Sequence, residues 1–231
     1  MKKLNSVFIE NPTAGRRLVV SDIHGCIKTF KKLLKKIELT KNDQLFILGD
    51  AVNKGPNSSK VLNQILKLQQ GDYQVFFIRG NHEQIILNCK KKTLAQRKRM
   101  LKSVNALELL EGKKIKEEFV ELLKKSYHYI ETDTHFLVHA GFNHQENTFL
   151  DIKAMLQTRN FQYREQLFKG KQVIIGHTPS STKKIMKDIK RQKPIVCIDN
   201  GCINTNEVGQ GNLLCLDLDT MKTHTQKYTE C

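Results

Sequence analysis

Short runs of consecutive apolar residues recur along the chain and alternate with longer segments whose apolar residues have helical spacing. The runs are RLVV (17–20), QLFIL (44–48), YQVFFI (73–78), HFLV (135–138), QVIIG (172–176) and PIVCI (194–198). A continuous apolar run of this length, bounded by turns, predicts a strand that is buried on both faces. The alternation of such strands with helices predicts an α/β sandwich.

Two segments depart from this alternation. Residues 84–126 are charged, have helical spacing and show no strand pattern, and we interpret them as a helical insert beside the sheets. Near the C-terminus, NLLCLDLD (212–219) followed by KTHTQKY (222–228) predicts an antiparallel hairpin. With 231 residues and no linker of low complexity, the chain is predicted to form one domain, residues 1–231.

The composition is 39% hydrophobic and 27% charged, which is typical of a globular protein. No apolar run is long enough for a membrane span or a secretory signal, so we expect no membrane association and a cytoplasmic location. The net charge of +16 raises nucleic acid as a partner. However, the basic clusters have helical spacing and few aromatic residues, which favours lysines on solvated helix faces and makes a nucleic-acid partner the weaker interpretation.

Polar residues follow five of the predicted strands in succession, in the motifs SDIHG (21–25), GD (49–50), RGNHE (79–83), HAG (139–141) and GHTP (176–179). In open α/β sheets the functional crevice lies beyond the carboxyl ends of the strands. Each of these motifs contains a candidate metal ligand, and the set is Asp22, His24, Asp50, Asn81, His139 and His177.

The residue types suit a pair of divalent cations. Asp22 and His24 are two residues apart in extended chain and can reach one ion, whereas the Asp50 carboxylate can bridge two. Taken singly, Asp22 could cap a helix and Asp50 could form a turn, but five such coincidences at successive strand ends favour a metal site. A pair of ions can clamp phosphoryl oxygens and bind a hydroxide nucleophile, so the pattern points to phosphoryl hydrolysis.

The motifs SDIHGC, GDAVNKGPNS, RGNHE, VHAGF, GHTP and IDNGC together resemble the calcineurin-like metallophosphoesterases, in particular the bacterial and phage branch of the phosphoprotein phosphatases. The resemblance implies a β-sandwich flanked by helices in four layers (αββα). It also implies two divalent metal ions, manganese first and iron, zinc, nickel or cobalt as alternatives. One ion would be held by Asp22, His24 and Asp50, and the other by Asp50, Asn81, His139 and His177.

The same resemblance makes His82 the acid that protonates the leaving oxygen. Two positions depart from the family pattern GDxVDRG, because Asn53 stands where an aspartate orients the catalytic histidine and Lys54 where an arginine grips phosphate. Asparagine could still accept a hydrogen bond from the imidazole, whereas lysine keeps the positive charge but loses the bidentate fork. Arg159 lies where relatives carry a second phosphate-binding arginine.

The first interpretation of function is hydrolysis of phosphomonoesters, with phosphoserine or phosphothreonine in proteins as the preferred substrate class. The mechanism would be attack of a metal-bound hydroxide with His82 as general acid. A second interpretation is symmetrical hydrolysis of dinucleoside tetraphosphates. A third, of another class, is a basic nucleic-acid-binding protein on a degenerate phosphatase fold. The presence of every expected metal ligand argues against the third interpretation.

Overall fold

The computed structural model describes residues 4–143, 145 and 149–230, and within them the chain alternates between strands and helices as predicted. The strands are β1 (Ser6–Phe8), β2 (Arg17–Val20), β3 (Gln44–Ile47), β4 (Gln74–Phe77), β5 (Leu110–Glu111), β6 (Lys114–Ile115), β7 (Tyr129–Glu131), β8 (His135–Val138), β9 (Gln172–Ile175), β10 (Ile195–Cys197), β11 (Asn212–Asp217) and β12 (Thr223–Lys227). The helices are α1 (Ile27–Lys36), α2 (Ser58–Gln70), α3 (Asn81–Cys89), α4 (Leu94–Ser103), α5 (Glu117–Lys125), α6 (Ile152–Gln157), α7 (Glu165–Phe168) and α8 (Thr182–Lys190).

The strands form two five-stranded sheets and one small two-stranded ribbon. One large sheet has the order β1-β7-β8-β9-β10 and the other the order β12-β11-β2-β3-β4. Strands β2, β3 and β4 of one sheet run parallel, as do β8, β9 and β10 of the other, so within each set the carboxyl ends lie at the same edge of the sheet. The predicted C-terminal hairpin is present as the antiparallel pair β11 and β12.

Alternate residues of each strand pack into different cores, which explains the continuous apolar runs. Val19 and Phe46 join Leu137 and Ile174 of the other sheet in one cluster, so the two sheets pack face to face. The neighbouring residues of β2 and β3 point the other way and pack against α1 and α2. The outer face of the other sheet is covered by α6 and α7 through a third cluster that contains Phe168. The sandwich flanked by helices is therefore confirmed.

The insert is mainly helical, but its interpretation as strand-free was wrong. Helices α3, α4 and α5 lie between residues 81 and 125, and a short antiparallel ribbon of β5 and β6 separates α4 from α5. Gly112, with a φ of +60°, makes the tight turn between these two strands. Two paired residues per strand are too few to produce a readable alternation in the sequence.

Strands β1 and β7 were not predicted either. Both have three residues, and β1 is the edge strand of its sheet, where Ser6 and Phe8 are exposed. Backbone pairing with the rest of the sheet, rather than an apolar run, creates these strands. Among the described helices, none is long and apolar enough to cross a membrane.

Candidate metal centre

The six candidate ligands converge at the edge where the parallel strands end. Asp22 and His24 follow β2, Asp50 follows β3, Asn81 begins α3 after β4, His139 follows β8, and His177 follows β9. Asp22, His24, Asp50 and His139 are buried, and His177 is half-buried. The ligands come from both sheets, so parallel pairing within each sheet and the packing of the two sheets together assemble residues that lie up to 155 positions apart in the chain.

The loops that carry these ligands have unusual backbone conformations. His24, Asp50 and His177 have φ values of +50°, +46° and +67°, which residues with a side chain adopt at a cost. A Cβ at Gly80 would lie 2.1 Å from Oδ1 of Asp50, and one at Gly176 would lie 2.3 Å from Oδ1 of Asp22. Glycine is therefore required beside Asn81 and His177 so that the two loops can approach the carboxylates.

Two groups of ligating atoms lie close enough to surround cations. His24, Asp50 and His82 form one group and Asp50, His139 and His177 the other, and within each group the ligating atoms lie within 4.8 Å of one another. Asp50 belongs to both groups, which is the position that a bridging carboxylate needs.

The remaining two candidates lie beside these groups. Oδ2 of Asp22 is 3.9 Å from Nε2 of His24, and its carboxylate accepts hydrogen bonds from the Ser21 hydroxyl (2.6 Å) and from the backbone N–H of His177. Oδ1 of Asn81 is 3.0 Å from Nε2 of His139. The whole predicted ligand set therefore lies at one site.

The surroundings of His139 show that the ligating atoms suit a cation. Its Nδ1 donates to the Leu48 carbonyl (2.8 Å), so its Nε2 presents a lone pair to the site. Oδ1 of Asn81 and Oδ2 of Asp50, 3.0 and 3.5 Å away, are also acceptors. Acceptor atoms that face one another without a proton between them are stabilised by a positive ion, and imidazole, amide and carboxylate groups are ligands for divalent transition metals.

The electrostatics of the site support the same conclusion. Burial lowers the pKa of His24 to about 3 and that of His177 to about 4, so both imidazoles are neutral and can ligate. Burial, together with the charges of Asp22 and Glu83, raises the pKa of Asp50 well above its ordinary value. A cation beside Asp50 would compensate the cost of ionising this carboxylate.

His82 lies beside the shared carboxylate, with its Nε2 3.6 Å from Oδ2 of Asp50. Nδ2 of Asn53 lies 2.8 Å from Nδ1 of His82 and 3.2 Å from Nε2. The backbone N–H of Lys54 donates to Oδ1 of Asn53 (2.6 Å), which turns the amide nitrogen toward the imidazole. The expectation that Asn53 accepts a hydrogen bond from His82 was therefore wrong, because the amide donates to the ring.

The direction of this hydrogen bond favours neutral His82. A donor aimed at a ring nitrogen needs a lone pair there, and imidazolium has none. Burial and the charge of Lys54 act in the same sense and lower the pKa of His82 to about 4. Residue 53 therefore supplies no carboxylate that would stabilise a protonated His82 imidazole from the side of Nδ1.

Lys54 and Arg159 both lie at the mouth of the site. Nζ of Lys54 donates to Nε2 of His24 (3.0 Å), and the lysine is otherwise exposed. Arg159 is exposed, and it is near enough to His177 for its charge to help lower the pKa of that imidazole. One cation therefore lies near His24 of the first ligand group and the other near His177 of the second, as expected for residues that bind phosphate oxygens.

Glu83 is a residue whose contribution the sequence analysis did not assign. Its side chain is fully buried and accepts from the backbone N–H groups of Asp50 (2.8 Å), Gly80 (2.8 Å) and Val52 (3.3 Å). Burial raises the pKa of Glu83 to about 7. Its hydrogen bonds connect the loop that contains Asp50 to the start of α3. Glu83 is the third residue of α3, where a glutamate is typical of a capping box, and this position could have identified it from the sequence.

The chain belongs to the calcineurin-like phosphoesterase family, whose model matches residues 15–202. Members of this family use divalent metals, so the protein is a metallophosphoesterase, a hydrolase of phosphoric esters with candidate metal-binding residues in place.

Proteins of known name are similar to this chain over a part of its length or over most of it. The symmetrical bis(5'-nucleosyl)-tetraphosphatase of Wigglesworthia glossinidia brevipalpis is 37% identical over 94 residues, 39% of this chain and about a third (34%) of the relative. The asymmetrical bis(5'-nucleosyl)-tetraphosphatase PrpE of Oceanobacillus iheyensis is 23% identical over 220 residues, 82% of this chain and 85% of the relative. A crystal structure of a protein proposed to be a diadenosine tetraphosphatase has the same fold, with a TM-score of 0.67, 18% identity and coverage of 99% and 100% of the two chains.

Proposed function

We propose that this protein hydrolyses a phosphoanhydride bond in dinucleoside tetraphosphates. This reverses the order of the first two interpretations from the sequence, in which phosphoserine or phosphothreonine came first. The named relatives support the new order, and they include both symmetrical and asymmetrical tetraphosphatases. The observation that carries the proposal is the hydrogen bond from the Asn53 amide to the His82 imidazole.

That hydrogen bond matters because the two substrate classes need different help from an acid. A serine or threonine alkoxide is a poor leaving group and must receive a proton as the bond to phosphorus breaks. A nucleotide leaves from a phosphoanhydride as a phosphate anion and needs little protonation. Neutral His82, held by an amide donor beside Lys54, is a weak proton source and therefore suits the anhydride better.

Each group of residues at the site has a separate role in the proposed reaction. Asp22, His24, Asp50, Asn81, His139 and His177 would hold two divalent ions, which when bound supply Lewis-acid stabilisation of phosphoryl charge and a nucleophile from water. Lys54 and Arg159 bind phosphate oxygens at the mouth of the site. The His82 nitrogen nearest the Asn53 amide is Nδ1, so in the proposed tautomer the proton is on Nε2, from which it can donate a hydrogen bond to the leaving phosphate.

A substrate comparison tests the proposal. The protein is stripped of metal and reloaded with Mn²⁺, and kcat/KM is measured for diadenosine tetraphosphate, a phosphoserine peptide and p-nitrophenyl phosphate. We expect the tetraphosphate to be preferred over the peptide at least about tenfold, since a tenfold ratio needs only about 1.4 kcal/mol of transition-state discrimination. A preference for the peptide would overturn the proposal and restore the phosphoprotein interpretation. Chromatography of the products distinguishes symmetrical from asymmetrical cleavage.

A matched pair of variants tests the metal assignment in the same assay. Asp50→Asn removes the shared charge but tolerates the positive φ of this position, and it should abolish hydrolysis of all three substrates and weaken Mn²⁺ binding in calorimetry. Asp72→Asn is the control, because Asp72 also has a positive φ (+61°) but is exposed. Full activity of the Asp50 variant would contradict the assignment of this carboxylate to both ions.

A further inference from the structure

A cavity of about 360 Å³ opens beside the metal centre, on the side of β9 and β10. Its wall includes Ala140, which follows His139, and Thr178, which follows His177. Sγ of Cys197 donates to the carbonyls of Gly176 and Thr178 (3.3 and 3.2 Å) and joins this wall to β10. The cavity is therefore continuous with the loops that carry two candidate ligands, and of the residues given a role above only Arg159 lines it.

The floor of the cavity is apolar and contains one aromatic ring. Ile175, Ile195 and Phe161 line it and are half-buried, so part of each side chain is open to an incoming group. The Phe161 ring packs against Phe168 in a T-shaped contact, with ring centroids 5.5 Å apart. A Cβ at Gly141 would lie 2.9 Å from Cβ of Phe161, so glycine at 141 lets the phenylalanine lie this close to the loop after β8.

The rim of the cavity is polar and carries excess positive charge. Arg159 lies on the side of the metal centre and, within the described part of the chain, forms no salt bridge. On the far side, Lys184 and Lys193 both contact the nearly buried Asp188 carboxylate, at 3.0 and 2.8 Å. The rim therefore contains one arginine without a salt bridge among the described residues and, separately, a carboxylate that is paired with two lysines.

We propose that this cavity is a nucleoside subsite that receives one base of the dinucleoside tetraphosphate, a refinement that rests on the function proposed above. A planar base matches an apolar floor with one aromatic ring, and its attached phosphates match the arginine between the cavity and the metal centre. Asp188 is an acceptor for the exocyclic amino group of a purine. A phosphoserine peptide offers no such planar group.

Phe161→Leu tests the subsite, because it keeps apolar volume but removes the ring. In the Mn²⁺-loaded enzyme, the ratio of kcat/KM for diadenosine tetraphosphate to that for inorganic tetraphosphate should fall about tenfold, since stacking on one aromatic side chain is worth that much or more. Phe161→Tyr should restore the ratio. Phe8→Leu is the matched control, because Phe8 is an exposed phenylalanine on β1. An unchanged ratio in Phe161→Leu overturns the subsite.

A second measurement needs neither a variant nor turnover. We expect 8-azidoadenosine 5'-monophosphate to label peptides containing residues 158–163 or 194–197 in the unmodified protein, and excess adenosine monophosphate to prevent the labelling. Labelling confined to other surfaces overturns the subsite even if the tetraphosphate is hydrolysed. Labelling of these peptides without tetraphosphate hydrolysis keeps the subsite as a nucleotide site and rejects the proposed function, so the two failures are distinguishable.

Discussion

The carboxylate of Glu83 is the most sharply testable part of the site, because its surroundings leave little freedom. Oε2 accepts from the backbone N–H groups of Asp50 and Gly80, and Oε1 accepts from that of Val52. In Glu83→Gln the amide oxygen can replace only one of these carboxylate oxygens. The oxygen will remain with the two donors at 2.8 Å, and the new NH₂ group will face the N–H of Val52.

The magnitude follows from these contacts. One buried N–H loses its acceptor, which costs about 1–3 kcal/mol, and two hydrogen bonds lose their charge assistance, which costs about 1 kcal/mol each. Removing a carboxylate whose pKa burial has raised to about 7 recovers part of this cost. We therefore expect a loss of about 1–3 kcal/mol in the free energy of unfolding and, in a chain of 231 residues, a fall in Tm of about 2–4 °C per kcal/mol.

The effect on metal binding should be measurable separately from the loss of stability. This carboxylate accepts from the backbone N–H of Asp50, whose φ is +46°, and loosening a group behind a candidate metal ligand should lower metal affinity about 10- to 100-fold. Calorimetric titration of the stripped protein with Mn²⁺, together with urea unfolding, separates the two effects. Glu111→Gln, at an exposed position of β5, is the matched control. Unchanged Mn²⁺ affinity in Glu83→Gln would refute the reasoning, even if the variant unfolded more easily.

Two further predictions concern the acid and the pH dependence of stability. Asn53→Asp replaces a donor to His82 with an acceptor, and a carboxylate there should raise the imidazole pKa by at least about one unit. We therefore expect hydrolysis of an alkyl phosphate to be accelerated about tenfold more than that of p-nitrophenyl phosphate. Equal effects on the two esters would contradict His82 as a proton donor. His135 is buried with a pKa lowered to about 4, chiefly by desolvation, so the unfolded chain binds its proton first and stability is lost as pH falls from about 6.5 toward 4. Urea unfolding at pH 7 and pH 5 gives the loss in the free energy of unfolding between these pH values, and this loss should be about 2 kcal/mol larger for the parent than for His135→Asn. His224→Asn, at a half-buried position, is the control. The same pH dependence in the parent and His135→Asn would contradict the prediction.

The sequence by itself determined the long strands and the positions of the ligands. Apolar runs such as RLVV and QVII form central strands because both of their faces are buried. Burial of both faces requires apolar side chains at consecutive positions, and the sequence shows these directly. Asp22 and Asp50 could be placed at one edge because the parallel strands β2 and β3 end in the same direction, whereas His177 reaches them only because the second sheet packs against the first. Their assignment as metal ligands remains a prediction, as do the single domain and the cytoplasmic location.

Only the tertiary structure decided the features that depend on contacts between distant segments. Strands β1 and β7 exist because neighbouring backbones pair with them, and three residues are too few to carry a periodic pattern. The orientation of the Asn53 amide is set by the N–H of Lys54, and the buried position of Glu83 is set by donors from the loop after β3. Residue types and spacing do not contain such directions, because a hydrogen bond is decided by where its donor and acceptor meet in space.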